Sequence, residues 1–308
     1  MASLKNIKIK IGSVKKTATV TRAMEAVSAV KMRKSQERAL SGRAYAASAL
    51  SILERLSGTS EVGRHSLMVD LGSQPGKSVL VVVTSDKGLA GSLNSAVVRA
   101  AEQELLGHGL NKSDLKVIAI GRRGADYFAS RGFNIALRQE NVSDDVSEPD
   151  IRAITDQLLR WNTAKEADLC LVAYTNFVST FEQEPVVRQI VPITREVMKE
   201  MVQGIRPAKG KYAPSENAED LPPSVYTIEP DAESVLAELL PKLVNVTLFH
   251  ALLEAKASEH SARMVAMKSA TDKAKEMASE LTRIFNKTRQ AAITREVSEI
   301  TSGIEAMK

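Results

Sequence analysis

The sequence predicts an α/β protein in which two long terminal helices pair as an antiparallel coiled coil around a small doubly wound domain. Three observations carry that expectation. Helix breakers are missing at both ends: no proline precedes Pro75, and residues 242–302 contain neither glycine nor proline. Apolar residues at both ends recur in steps of three and four. The middle instead holds short β-rich apolar runs separated by helical stretches, as strands buried on both faces of a parallel sheet do.

Residues 1–57 are read as the first helix, interrupted only by Gly12 and Gly42. Its seam is Leu4, Ile7, Ile11, Val14, Ala18 and Thr21. Residues 75–203 form the central domain. Strands are expected at 79–84, 115–120 and 169–174, with a further one at 186–194. Helices are expected at 93–106, 124–130 and 150–165. This order makes the middle a Rossmann-like α/β domain. Residues 204–230, rich in Gly, Pro, Asn and charge, read as an exposed linker. Residues 231–308 are the second long helix. Its seam is expected along Met277, Leu281, Ile284, Thr288 and Ala291, continuing in a shifted frame as Ile293, Val297, Ile300, Ile304 and Met307. A helix over 242–302 would span about 90 Å at 1.5 Å per residue, far more than a compact core needs.

Composition narrows the function. Of 308 residues, 44% are hydrophobic and 26% charged, which suits a chain with a sizeable core. No apolar run approaches the roughly 20 residues of a membrane span, and the first ten residues lack the apolar stretch of a secretory signal. A single cysteine, Cys170, excludes an internal disulfide and any cysteine-based zinc cluster. The net charge of +5 is unevenly placed: residues 1–56 carry 12 Lys/Arg against 3 Asp/Glu, while residues 231–308 carry 11 of each. That asymmetry points to an acidic partner for the first helix.

Several motifs fail on inspection. Gly72 to Ser78 resembles a phosphate-binding loop, but Leu71 stands where the motif needs glycine, and the stretch precedes a strand rather than following one. Ser85 to Gly91 does link a strand to a helix and could cradle an anion, yet it lacks the dinucleotide fingerprint. His250 and His260 are ten apart, without metal-ligand spacing. Met24, Met32, Met264 and Met267 are either partner-facing or seam filling. Lys31, Arg33, Lys34 and Arg38 form a cationic cluster, but aromatics are only 4% of the chain, thin for nucleic-acid stacking. No catalytic constellation is identifiable. An enzyme built on the central domain and a nucleic-acid-binding coiled coil remain the competing readings.

Longer blocks are more specific. Val20-Thr-Arg-Ala-Met-Glu-Ala-Val-Ser-Ala-Val-Lys-Met-Arg33 resembles the N-terminal signature of the gamma subunits of F-type ATP synthases. Thr84-Ser-Asp-Lys-Gly-Leu-Ala-Gly-Ser-Leu-Asn94 resembles that family's first-strand turn, with Ala90 where many members have cysteine. Ala262-Arg-Met-Val-Ala-Met-Lys-Ser-Ala-Thr-Asp272, Asn286-Lys-Thr-Arg-Gln-Ala-Ala-Ile-Thr-Arg-Glu296 and Ser298-Glu-Ile-Thr-Ser-Gly303 resemble its C-terminal signature. The resemblance runs end to end with order and spacing kept.

The resemblance implies a non-catalytic rotor shaft without a cofactor, coupling proton flow to ATP synthesis and hydrolysis. One copy would stand inside three alpha and three beta subunits, with the epsilon subunit and the membrane c-ring at its foot. It implies a peripheral, indirect membrane association, on the cytoplasmic face of a bacterial inner membrane, and no nucleic-acid partner. By the same resemblance, Arg22, Met24 and Lys31 face an acidic loop of the catalytic subunits. Arg289, Gln290, Thr294, Glu296 and Ser298 contact those subunits further along, and Tyr226 and Glu229 meet the rotor ring.

Overall fold

The computed structural model describes residues 4–56, 67–68, 76–194, 197 and 231–307. The expected linker at 204–230 lies outside the described residues. Among the described residues ten elements follow one another: α1 (Leu4–Leu56), β1 (Ser78–Val83), α2 (Leu93–Gly107), β2 (Leu115–Ile120), α3 (Arg122–Ser130), β3 (Asn134–Gln139), α4 (Glu148–Thr163), β4 (Leu169–Phe177), β5 (Gln183–Val191) and α5 (Ala232–Ala306). The chain divides into two compact units: Met1–Ala29 with Arg263–Lys308, and Val30–Ala262.

The larger unit is built on a five-stranded sheet of order β3-β2-β1-β4-β5. β1 pairs in parallel with both β2 and β4, β2 with β3, and only β5 runs antiparallel, against β4. Alternation along β1 sends Val79, Val81 and Val83 to one face and Leu80 and Val82 to the other. The first face packs on α4 through Ile151, Ile154 and Leu158, and on α5 through Leu240, Leu243, Val244, Leu248 and Leu252. The second packs on α2 and α3 through Val97, Ala101, Leu105, Ala125 and Phe128. Both faces are covered, so the strands read as unbroken apolar runs.

β3 was not expected. It is an edge strand whose residues alternate between exposed and half-buried, with Arg138 and Gln139 among them, so it lacks the apolar run that marks its neighbours. The last strand begins three residues before the expected 186, because Gln183, Glu184 and Pro185 already pair with Phe177, Asn176 and Thr175. The part of α5 against the sheet also differs from the sequence expectation. An 18-residue window of the helix reaches a mean hydropathy of 1.4, sufficient by composition for a membrane span, with half of it buried inside the fold. Its apolar side chains are engaged by the sheet. Pro241 lies within this stretch without ending the helix, flanked by the fully buried Leu240 and Leu243.

The smaller unit is the two chain ends. Thr21 and Thr271 meet side chain to side chain at 2.6 Å, and the unit closes at Ala29 and Arg263, so the pairing is antiparallel. That register sets Ala18 opposite Ala274, Val14 opposite Ala278, Ile11 opposite Leu281, Ile7 opposite Phe285 and Leu4 opposite Thr288. These positions are all buried or half-buried, and the α1 seam is the expected one. The α5 seam needs correction: Met277 and Ile284 are 46% and 40% exposed and flank the seam, and Ala291 is exposed. The true knobs are Met267, Thr271, Ala274 and Ala278. Stepping between the largest apolar residues misses a seam made of alanine and threonine. Met267 is buried, as seam filling requires.

Candidate functional site

The smaller unit presents two kinds of surface. On α1, Lys5, Lys8, Lys10, Lys15, Lys16 and Arg22 are exposed, because the seam uses only one stripe of the helix. Met24 is half-buried beside that seam. On α5, Arg289, Gln290, Thr294, Glu296 and Ser298 are all exposed. Leu4 lies opposite Thr288, so α5 outruns the start of α1. Ile293, Val297, Ile300, Ile304 and Met307, 51–83% exposed, therefore form an apolar stripe with nothing of α1 left to cover it. Arg295 and Glu299 pair at 3.0 Å beside it.

In the larger unit, the cationic cluster is split. Arg33 and Lys34 are exposed. Lys31 and Arg38, two turns apart on one face, turn to the loop after β3. Lys31 Nζ lies 2.6 Å from Asp144 Oδ2, and Arg38 pairs with the Asp145 carboxylate. His260 Nε2 of α5 sits 2.8 Å from Asp144 Oδ1. The His260 hydrogen bond first, then that of Lys31, hold the Asp144 carboxyl well below the usual carboxylate range against the opposing effect of burial. Sequence reasoning singled out Lys31 but not its partner: residues 31, 144 and 260 share no local pattern.

The carboxyl ends of β1 and β4 are where an open α/β sheet usually takes a ligand. Here α5 fills the place. Val83, Thr84, Ser85 and Leu93 face Leu252, Ala255, Lys256 and Glu259 across a cavity of only about 10 Å³, barely one water. In the turn at Ser85 to Gly91 envisaged as an anion cradle, the Ser85 N–H donates to Asn94 Oδ1, and the Asp86 carboxylate accepts the Arg122 and Asn141 N–H groups, which sets a negative charge in the turn itself. Burial pushes the Cys170 thiol up to about 12, far from a nucleophile's range. Among the described residues no group of His, Cys, Asp and Glu is placed to hold a metal ion. Tyr226 and Glu229 lie outside the described residues.

Comparison with known proteins agrees with the end-to-end resemblance. The family described as ATP synthase matches residues 3–307. The ATP synthase gamma chain of Roseiflexus sp. (strain RS-1) is 40% identical over 307 residues, covering 100% of this chain and 99% of that one. That of Cupriavidus metallidurans is 39% identical over 311 residues, covering all of both chains. Among solved structures, a chain of the Euglena gracilis mitochondrial ATP synthase (OSCP/F1/c-ring, rotational state 3) superposes with a TM-score of 0.64 at 15% identity, covering 99% of this chain and 94% of that one. A chain of the Tetrahymena thermophila mitochondrial ATP synthase central stalk and c-ring gives 0.58 at 24% identity, covering 82% and 99%. At these identities the structures speak for the fold.

Proposed function

The chain belongs to the ATP synthase gamma-chain family, and on that premise we propose that it is the central rotor shaft of an F-type ATP synthase. It couples proton flow through a membrane ring to ATP synthesis or hydrolysis in a surrounding catalytic hexamer. It performs no covalent chemistry of its own. One copy stands within three alpha and three beta subunits, with the epsilon subunit and the c-ring at the other end. Its membrane association is peripheral and runs through that ring, on the cytoplasmic face of a bacterial inner membrane.

The observation that carries this reading is the uncovered apolar stripe from Ile293 to Met307, on an α5 that extends past the end of its own partner helix. Such a stripe asks for an apolar sleeve supplied by other chains. The contact there is modest in area and mixed with the polar Thr294, Glu296 and Ser298, as a surface that must slip requires. Arg289 and Gln290 supply polar contacts to the catalytic subunits at the neck of the stripe. Arg22 and Met24 meet an acidic loop on those subunits, which the exposed cations of α1 attract over a Debye length of about 8 Å. Tyr226 and Glu229 meet the rotor ring.

Native mass of the complex formed on co-expression with the neighbouring alpha and beta chains tests the reading. One copy of this chain with three of each places a single asymmetric element in a threefold host. Equal copies of all three, or a chain that stays alone, overturn it.

A further inference from the structure

α5 and the described side chains of α1 meet the sheet domain in different ways. α5 contributes at least seven buried apolar side chains, Leu236 to Leu253 among them, to the core on one face of the sheet. No described residue of α1 joins either apolar cluster of the sheet. Among the described side chains, α1 meets that domain through ion pairs that converge on two residues of the loop after β3. Lys31 Nζ lies 2.6 Å from Asp144 Oδ2, Arg38 donates to the Asp144 carbonyl at 3.4 Å, and Arg38 pairs with the Asp145 carboxylate.

The same loop is gripped from α5. His260 Nε2 lies 2.8 Å and Lys256 Nζ 4.0 Å from Asp144 Oδ1, and Lys256 Nζ donates to the Val142 carbonyl at 2.9 Å. Glu259, 3.9 Å from Lys256, balances that cation. Lys256, Glu259 and His260 are all buried. A single carboxylate thus answers cations and a ring N–H from both terminal helices, each oxygen taken by a different helix. Charge-assisted bonds in a partly dry site are among the stronger polar links a fold makes, and removing the shared acceptor orphans groups on both sides.

We propose that Asp144 is a positioning residue for torque transfer, the pin that locks α1 to α5 and to the sheet domain so that the two helices turn as one body. The proposal rests on the rotor reading above. It gives Lys31 a role inside the chain. Without the carboxylate, the 30–38 segment of α1 keeps the Arg38 contacts to Asp145 and to the Asp144 carbonyl but loses the Lys31 bond, the one whose acceptor group is shared with α5.

Two measurements on existing assemblies test it. In the isolated full chain, Asp144→Asn should speed amide exchange in residues 141–147 by about tenfold or more, the scale of losing a charge-assisted bond. In the assembled synthase in sealed vesicles, the same variant should lower protons pumped per ATP hydrolysed at unchanged complex yield. Asp144→Glu should restore the ratio, and Lys31→Ala should reproduce the loss. Unchanged exchange overturns the clamp. Faster exchange with a normal pumping ratio, or a loss of yield with a normal ratio, overturns the torque role and leaves a structural one. If the unaltered complex itself hydrolyses ATP without pumping, the rotor reading has failed instead, and exchange in the isolated chain still decides the clamp.

Discussion

Thr21 and Thr271 face each other across the helix pair with their hydroxyl oxygens 2.6 Å apart. Each hydroxyl has one proton. Thr271 Oγ1 also reaches the Met267 carbonyl at 2.8 Å and Thr21 Oγ1 the Thr17 carbonyl at 3.0 Å. One threonine therefore donates across the seam while the other donates back to its own helix. This is a polar layer between the alanine layer of Ala18 and Ala274 and the buried Met267, and it pins the register of an otherwise smooth seam.

Replacing one threonine by valine should cost about 1 kcal/mol, because the bond across the seam is lost and the remaining hydroxyl keeps only the carbonyl of its own helix. Replacing both should be close to neutral, since two apolar groups of the same shape meet. A double-mutant cycle by denaturant unfolding of the full chain reads the coupling. Additive losses would mean that the two hydroxyls do not share a proton.

Gly121 ends β2 with φ +94, and a Cβ there would lie 2.0 Å from the Thr84 carbonyl oxygen. The strand-to-helix turn can close against β1 only without a side chain. Gly121→Ala should destabilise the larger unit by about 3 kcal/mol or more, combining strain at positive φ with a backbone collision. Gly107→Ala is the control. Nothing lies within 4 Å of its Cβ position at the end of α2, so it should be neutral or stabilising by up to about 1 kcal/mol. Equal thermal midpoints for the two variants would contradict this account of the turn.

The fold was legible where local chemistry decides it. The absence of breakers announces α1 and α5, and buried-strand runs announce β1, β2 and β4. β3 stayed hidden because an edge strand need not be apolar, and the α5 seam was mis-phased because its knobs are small. Tertiary burial also overrides local signals, as Pro241 inside a helix shows. Of the candidate site, the polar residues of the α5 tip are exposed. Asp144 was out of reach, since only the fold brings a loop carboxylate to a lysine 113 positions earlier and a histidine 116 later.

The Asp144 carboxyl is held below the usual carboxylate range, so its charged form stabilises the fold at pH values above its unfolded pKa, about 3.9. That contribution is lost as the pH falls through the unfolded value towards the folded one. The stability gap between the unaltered chain and Asp144→Asn should therefore be larger at pH 6 than at pH 3, measured by urea unfolding. A gap that is flat or widens over that range would show that the carboxylate is not selectively stabilised.

Cys170 sits in β4, 2% exposed, with its thiol pushed up to about 12 by burial alone. Thiolate is the reactive form, so the native chain should resist an aromatic disulfide reagent at pH 8 and react with one equivalent in denaturant. Fast native labelling would mean that β4 opens locally, which its parallel pairing to β1 and antiparallel pairing to β5 argue against.

Residues past Gly303 have no counterpart on α1, because Leu4 already lies opposite Thr288. Ile304 and Met307 are 51% and 83% exposed, so no core depends on them. Deleting 303–308 should leave the unfolding midpoint of the full chain within about 0.5 kcal/mol of its original stability. It should also leave the yield of complex with alpha and beta chains essentially intact, since on the rotor reading the deletion removes only the end of the proposed sleeve contact, which begins at Ile293. Rotation-coupled turnover should fall modestly, because less of the stripe is guided. Loss of the whole complex in native mass measurements would instead make the tip an anchor, and a shaft held fast at its tip is not a bearing.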